Sequence, residues 1–397
     1  MTTSWKDLGV PAHIVKNLES RGILAPFPIQ EATLRDSLAG KDVCGKAPTG
    51  SGKTLAFGIV LASAVGTCRP GHPQGLVLVP TRELASQVAG EIGKLIQGSN
   101  VRVAAVYGGA AYGPQVKLAR NATVLVATPG RLEDLIERRA VSLQDVNLAV
   151  IDEADRMADM GFLPSVKKIM RMAKADRQTL LFSATLDGDI KSLVKEFQRE
   201  PVRHEVEVPD DGGEVEHRFH VVDRNDRMKA LTVLANSYEK VIVFCRTKHG
   251  SDRVAKNLDA AGVSTCVIHG NRSQAQREKA LQQFKKGQAT VMVATDVAAR
   301  GIHIDDVPLV VHYDLPEDVK DYIHRSGRTG RAGRDGVVVS LIDASAKKST
   351  QRLLKGSDVE VEFTDFPFDA PEEAVADAIG AIGTVPTRSL LDQMQMS

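Results

Sequence analysis

Residues 47–54 run Ala47-Pro48-Thr49-Gly50-Ser51-Gly52-Lys53-Thr54. Glycines at this spacing let successive backbone N–H groups turn inward around phosphate oxygens, and a helix beginning at the lysine adds positive potential there. Lys53 is placed to reach the β- and γ-phosphates of a nucleotide, and the Thr54 hydroxyl to ligate Mg2+. Ala47 stands where the general pattern has its first glycine. A second chemical pair closes the apolar run LAVIDEAD. There Asp152 can support the metal and Glu153 can polarise an attacking water, the pairing that hydrolysis requires. By itself, an acidic pair after a strand is equally well explained as a helix cap.

Far downstream, HRSGRTGR occupies residues 324–331. Gly327, Gly330, Gly333 and Gly336 recur every third residue, with an arginine after each of the first three. The run is short and proline-free, which excludes a collagen-like reading. It is either a basic loop for any anion or a set of guanidiniums aimed at one phosphate.

These residues need elements to hold them. In the first half, apolar runs (DVCGKA, GLVLVPT, VRVAAVYGG, ATVLVAT, LAVIDEAD, TLLFSAT) alternate with segments of helical spacing such as RELASQVAGEIGKLI. Near-continuous apolar strands alternating with helices predict a parallel sheet covered on both faces. The pattern stops at EVEVPDDGGEVEH, residues 205–217, which reads as a linker from its acidity, Pro209 and Gly212-Gly213. A second strand–helix series follows (KVIVFC, STCVIHG, TVMVATD, LVVHYD, GVVVSLI), without a phosphate loop of its own. The expected organisation is a first α/β domain over 1–204, the linker, a second α/β domain over 218–365, and a tail over 366–397 that is either a terminal helix or disordered.

Composition agrees with a globular chain. Its 397 residues exceed what one core usually organises. The net charge of +1 excludes a wholly basic nucleic-acid coat, so any nucleic-acid binding must come from placed residues. Cys44, Cys68, Cys245 and Cys266 have neither zinc nor redox-pair spacing and read as reduced thiols of a cytoplasmic protein. The N-terminus has no signal-peptide pattern, and the longest apolar-rich run, LAFGIVLASAVG, is too short for a bilayer.

Taken in order, the motifs resemble those of the DEAD-box RNA helicases of superfamily 2, of bacterial type. Asp152-Glu153-Ala154-Asp155 spells the family signature, with PTRELA at 80–85, GG at 108–109, TPGR at 128–131, SAT at 183–185, ARG at 299–301 and HRSGRTGR in the family order. The resemblance implies two RecA-like domains, each a parallel sheet flanked by helices. It implies ATP and Mg2+ as ligands and RNA, single-stranded or a short duplex, as partner. No membrane is implied. The activity implied is RNA-stimulated ATP hydrolysis, coupled to domain closure and local unwinding. An ATP-gated RNA clamp with little turnover and a DNA-directed helicase are the competing readings.

The resemblance also assigns residues. Lys53, Asp152, Glu153, Arg328, Arg331 and His324 are the candidate catalytic set, with Arg328 and Arg331 as arginine fingers and His324 and Arg325 positioning them against the first domain. Trp5, Gln30, Thr49, Gly50, Ser51, Gly52, Lys53, Thr54 and Gly301 are the candidate nucleotide contacts. Gln30 closes the segment GILAPFPIQ and its amide would read the adenine edge. Thr81, Arg82, Gly108, Gly109, Thr128, Gly130, Arg131, Arg246, Thr247, Gly270, Arg272 and Thr295 are the candidate RNA contacts, of residue types that hold phosphate and sugar rather than bases. Ser183, Thr185 and Asp155 would couple the domains. Ile23, Phe27, Ser326 and His303 depart from the family pattern, standing respectively for an aromatic, a threonine, an apolar residue and an aspartate.

Overall fold

The computed structural model describes residues 3–48, 50–206, 213–299, 304, 307–330 and 334–368. The chain divides into two compact units, Met1–Val208 and Pro209–Ser397.

The first unit contains β1 (Val43–Lys46), β2 (Gly75–Leu78), β3 (Val103–Val106), β4 (Val124–Ala127), β5 (Leu148–Asp152), β6 (Gln178–Ser183) and β7 (Val202–Glu205). They form one sheet in the order β3-β4-β2-β5-β6-β1-β7, every neighbouring pair parallel. The apolar runs are continuous because both faces are covered. Val77, Val126, Val150 and Leu180 enter one core, and Leu76, Leu125, Ala149 and Leu181 enter the other. This is the period-2 alternation of a strand with no solvent face.

The second unit contains β8 (Val215–Val221), β9 (Val241–Phe244), β10 (Thr265–Ile268), β11 (Val291–Ala294), β12 (Leu309–His312), β13 (Gly336–Ile342) and β14 (Phe363–Asp365). Their order is β10-β11-β9-β12-β13-β8-β14, again all parallel. Numbered within its own unit, each sheet reads third, fourth, second, fifth, sixth, first, seventh. The two units therefore repeat one topology.

The boundary at Val208/Pro209 lies inside the expected linker, but strands intrude on that segment from both sides. Glu205 ends β7, and Val215, Glu216 and His217 already belong to β8. β8 reads VEHRFHV and hid among its charged residues. It takes part in the sheet through seven register pairs with β13. Residues 369–397, most of the expected tail, lie outside the described residues.

Cys44, Cys245 and Cys266 are buried, and burial pushes the Cys44 thiol up to about 11. Among the described residues, no helix is long and apolar enough to cross a membrane, and no His, Cys, Asp and Glu group could by itself hold a metal ion.

Candidate active site

In the first unit the chemical residues follow the carboxyl ends of the strands, where open parallel sheets place their ligands. The loop after β1 is tied to β6 by Ala47 N–H donating to Ser183 O at 3.1 Å. Gly50 and Gly52 take φ of 87° and 89°, the left-handed region that glycine enters without strain. The helix Lys53–Ala64 then runs into the core, buried from Ala56 to Ala62. Lys53 is 8% exposed and folds back over the loop, its Nζ donating to Ala47 O and Pro48 O at 2.7 Å each. Ser51 Oγ donates to Pro48 O at 2.8 Å. Thr49 lies outside the described residues.

The segment before this loop is locked onto it. Gln30 is 1% exposed; its Oε1 accepts from Phe27 N–H at 2.8 Å and its Nε2 donates to Gly52 O at 2.9 Å. One N–H and one lone pair of the amide remain for a base edge. A Cβ on Gly52 would run into Gln30 Nε2 and lie 2.8 Å from Phe27 Cδ2. Phe27 is 56% exposed beside the loop, while Ile23 packs against the core. Trp5 takes a different place from the one expected of a nucleotide contact. It is 2% exposed in the core, and its indole N–H donates to Ile23 O at 3.1 Å. Its ring has no open face for a base, so it anchors the segment from behind.

Asp152 ends β5 at 3% exposure, its Oδ1 accepting from Glu153 N–H at 3.0 Å. Burial, and then the neighbouring Glu153 charge, push its carboxyl up to about 7, against the pull of Lys53. A buried carboxylate so disfavoured as an anion, with the Thr54 hydroxyl on the adjoining helix, suits Mg2+. That ion takes one or two carboxylates and completes its shell with phosphate oxygens and water. Glu153 holds φ 51° and ψ 51°, a left-handed conformation uncommon outside glycine, and its Oε2 lies 3.4 Å from Arg156 Nη1. Asp155 turns the other way. Its Oδ2 accepts from Ala184 and Thr185 N–H at 3.1 Å each, and its own N–H donates to Ser183 Oγ at 3.2 Å. The DEAD and SAT segments are thus joined within one unit.

The raised Asp152 pKa sets a pH dependence. The folded chain holds a proton at this site at pH values where the unfolded chain has released it. Stability of the nucleotide-free protein therefore falls as pH rises from about 4 through about 7. Asp152→Asn imitates the protonated acid. Scanning calorimetry is expected to show a small advantage of the variant at about pH 4.5 that grows to a large one at about pH 8. The shift is about 2–4 °C for each kcal/mol recovered in a unit of this size.

The expected RNA contacts of the first unit cluster at the ends of β2, β3 and β4. Thr81 Oγ1 caps the helix Arg82–Leu95 by accepting from Leu84 N–H at 3.3 Å. Gly109 has φ 79°, and a Cβ there would run into Arg82 Nη1. Gly108 is open on that side. Thr128 precedes the helix Pro129–Glu137, with Gly130 exposed in its first turn. Arg131 is engaged: it donates to Gln115 Oε1 at 2.9 Å and Ala110 O at 3.1 Å. Buried Gln115, which the sequence did not single out, also binds both backbone groups of Tyr107. It braces the turn carrying Gly108 and Gly109.

In the second unit Thr247 Oγ1 caps the helix Lys248–Ala260, and Arg246 N–H donates to Asp314 Oδ2 at 2.9 Å. Gly270 packs near Lys248. Arg272 and His269 share Asp252 Oδ1 at 2.6 and 2.9 Å. Thr295 is buried after β11, and the next residue, Asp296, forms a two-pronged pair with Arg325 at 2.5 and 2.7 Å. Arg325 Nη1 also donates to Asp314 O at 2.6 Å, leaving the residue 3% exposed. This corrects the expectation for Arg325: its side chain is spent inside its own unit and is not available to position the arginine segment from outside. His324, on the same helix Val319–Ser326, is exposed. That helix is seated by Tyr322, which stacks on Phe219 and whose hydroxyl lies 2.9 Å from His217 Nδ1. Ser326 stays inside, its Oγ donating to Tyr322 O. Arg328 follows the helix at 9% exposure, its carbonyl accepting from Val307 N–H. Gly301, His303 and Arg331 lie outside the described residues.

Two family profiles match the chain: DEAD/DEAH box helicase over residues 27–193 and helicase conserved C-terminal domain over residues 223–333. The DEAD-box ATP-dependent RNA helicase CshA of Bacillus subtilis is 40% identical over 357 residues, covering 89% of this chain and 72% of that protein. DEAD-box ATP-dependent RNA helicase 30 of Arabidopsis thaliana is 38% identical over 361 residues, covering 88% of this chain. The chain spans 61% of that plant relative's length. Among solved structures, Saccharomyces cerevisiae Dbp5 bound to RNA and ADP BeF3 superposes with a TM-score of 0.77 at 27% identity, covering 95% of this chain and 99% of that one.

Proposed function

This chain belongs to the DEAD/DEAH box helicase family, and from that premise we propose that it is an RNA-dependent ATPase that opens short RNA duplexes. The observation that carries the reading is the wiring of the first unit. One loop, after β1, is bonded to the adenine-side Gln30 and, through Ala47, to Ser183, which also binds Asp155 of the DEAD segment. Base, phosphate and carboxylate groups thus share one frame.

In this reading Gln30 selects adenine with its remaining donor and acceptor, and Lys53 leaves its two carbonyls for the phosphates. Asp152 and Thr54 would hold Mg2+, which would supply neutralisation of the phosphate charge. Glu153 orients and deprotonates the attacking water. Arg328 and Arg331 stabilise charge on the transferred phosphoryl group, and turnover waits on closure of the two units. Thr81, Arg82, Gly108, Gly109, Thr128, Gly130 and Arg131, with Arg246, Thr247, Gly270, Arg272 and Thr295, hold the backbone of one RNA strand with little base preference. The protein works in the cytoplasm.

Steady-state ATPase measured with and without RNA tests this. Single-stranded or structured RNA is expected to raise turnover by at least about tenfold, and DNA of the same sequence to raise it far less. Turnover indifferent to RNA overturns the helicase reading in favour of a clamp, and equal stimulation by DNA overturns the choice of polymer.

A further inference from the structure

The repeated topology allows the two sheets to be compared strand by strand. In the first unit the ends of β1, β2, β5 and β6 surround the phosphate loop, Thr81, Asp152 and Ser183. Their counterparts in the second unit are the ends of β8, β9, β12 and β13. Those four ends and the adjoining helices line a cleft of about 600 Å3. It lies within the second unit and contains Arg224 and Arg227 after β8, Arg246 after β9, Arg253 on the following helix, Asp314 after β12 and Asp343 after β13.

The loop after β8, residues 222–226, reads VDRND and has no glycine. It cannot wrap a phosphate with backbone N–H groups as the loop after β1 can. What it has instead is guanidiniums. Among the described residues, none of the four arginines has a carboxylate within ion-pair distance, and the buried Arg227 Nε has no hydrogen-bond partner. Each of the two carboxylates is oriented by bonds to one of its oxygens: Asp314 Oδ2 accepts from Arg246 N–H and Asp343 Oδ1 from Ser345 N–H and Oγ. The Ser345 bonds, and then Arg227 and Arg224, hold the Asp343 carboxyl below its usual range, as expected of guanidiniums converging on one place.

We propose that this cleft of the second unit is a phosphate-binding site, the topological image of the nucleotide site, in which arginine side chains replace the backbone cradle. Its ligand is a phosphate-bearing anion, either a free polyphosphate or a phosphate carried by RNA, gripped through the planar donor forks of Arg224, Arg227 and Arg253. The site uses none of the residues assigned to ATP and does not depend on the proposed turnover.

The test uses the full chain carrying Lys53→Ala, which weakens the phosphate grip of the first unit. Inorganic tripolyphosphate is titrated by calorimetry into this protein and into the same protein with Arg224→Gln and Arg253→Gln. Both arginines are exposed, so the fold is expected to persist, and circular dichroism melting checks it. Saturable binding weakened roughly tenfold or more by the double change, with a steep loss in salt, supports a free polyphosphate as ligand. In a second arm, a short RNA with a 5′-phosphate is compared with the same RNA ending in a 5′-hydroxyl. An affinity gap that disappears in the double variant supports an RNA-borne phosphate. Tripolyphosphate binding untouched by the double change, or no phosphate-dependent binding in either arm, overturns the proposal.

Discussion

Glu153→Gln is expected to bind ATP within about twofold of the parent and to hydrolyse it roughly 10²–10⁴ times more slowly, the usual contribution of a positioned general base. The change is isosteric and removes only the charge and the proton-accepting power. Glu153 sits in left-handed backbone directly after the buried Asp152, so its side chain leaves the strand end in a direction that an ordinary strand residue would not take. Asp152, Lys53 and Gln30, which carry nucleotide binding in the proposed mechanism, are retained; loss of the Glu153 charge eases the upward push on Asp152 but leaves burial, its larger cause. Fluorescent-nucleotide titration and single-turnover hydrolysis separate the two quantities. Full hydrolysis by the variant would remove Glu153 from the role of base.

Arg328→Ala is the second large effect. An arginine acting on the transferred phosphoryl group contributes on the order of 10³–10⁵ in rate, so RNA-stimulated turnover is expected to fall by about 10³ or more while the protein stays folded. Alanine retains the backbone bonds at this position, Arg328 N–H to Arg325 O and Val307 N–H to Arg328 O, each at 3.2 Å. Arg325→Ala, three residues earlier, is expected to behave differently. It strips the partner from Asp296 and leaves the Asp314 carbonyl without its donor. Removing one member of a pair this buried costs on the order of 3 kcal/mol, toward the low end because Asp296 is 24% exposed. Chemical denaturation is expected to show loss of stability for Arg325→Ala and little change for Arg328→Ala. The reverse pattern would exchange the structural and chemical roles of the two arginines.

Most strands that the sequence revealed have both faces buried, because burial on both sides writes an unbroken apolar run; β3 and β10, edge strands with alternate residues half-buried, showed through their apolar content. β7 (VRHE), β8 (VEHRFHV) and β14 (FTD) lie at or beside a sheet edge and carry polar residues, so the same test passed over them. The phosphate loop was legible because its geometry demands glycine. Trp5 was misplaced because an aromatic residue reads alike whether it stacks on a ligand or fills a core. Arg325 could have been recognised: Tyr322, Arg325 and Ser326 are spaced i, i+3, i+4 and form the inward stripe of their helix, whereas His324 falls outside it. Gln115, Asp296 and the convergence of Arg224, Arg227 and Arg253 had no local signal. Each acquires its meaning only from a neighbour brought near by sheet order.

The Arg325–Asp296 bond has a mechanical consequence. Asp296 adjoins Thr295, a candidate grip on the polynucleotide, and Arg325 shares a short helix and its exit with Arg328, a candidate sensor of phosphate charge. The salt link ties these two segments to one another inside the second unit, so that displacing either one strains a bond held by the other.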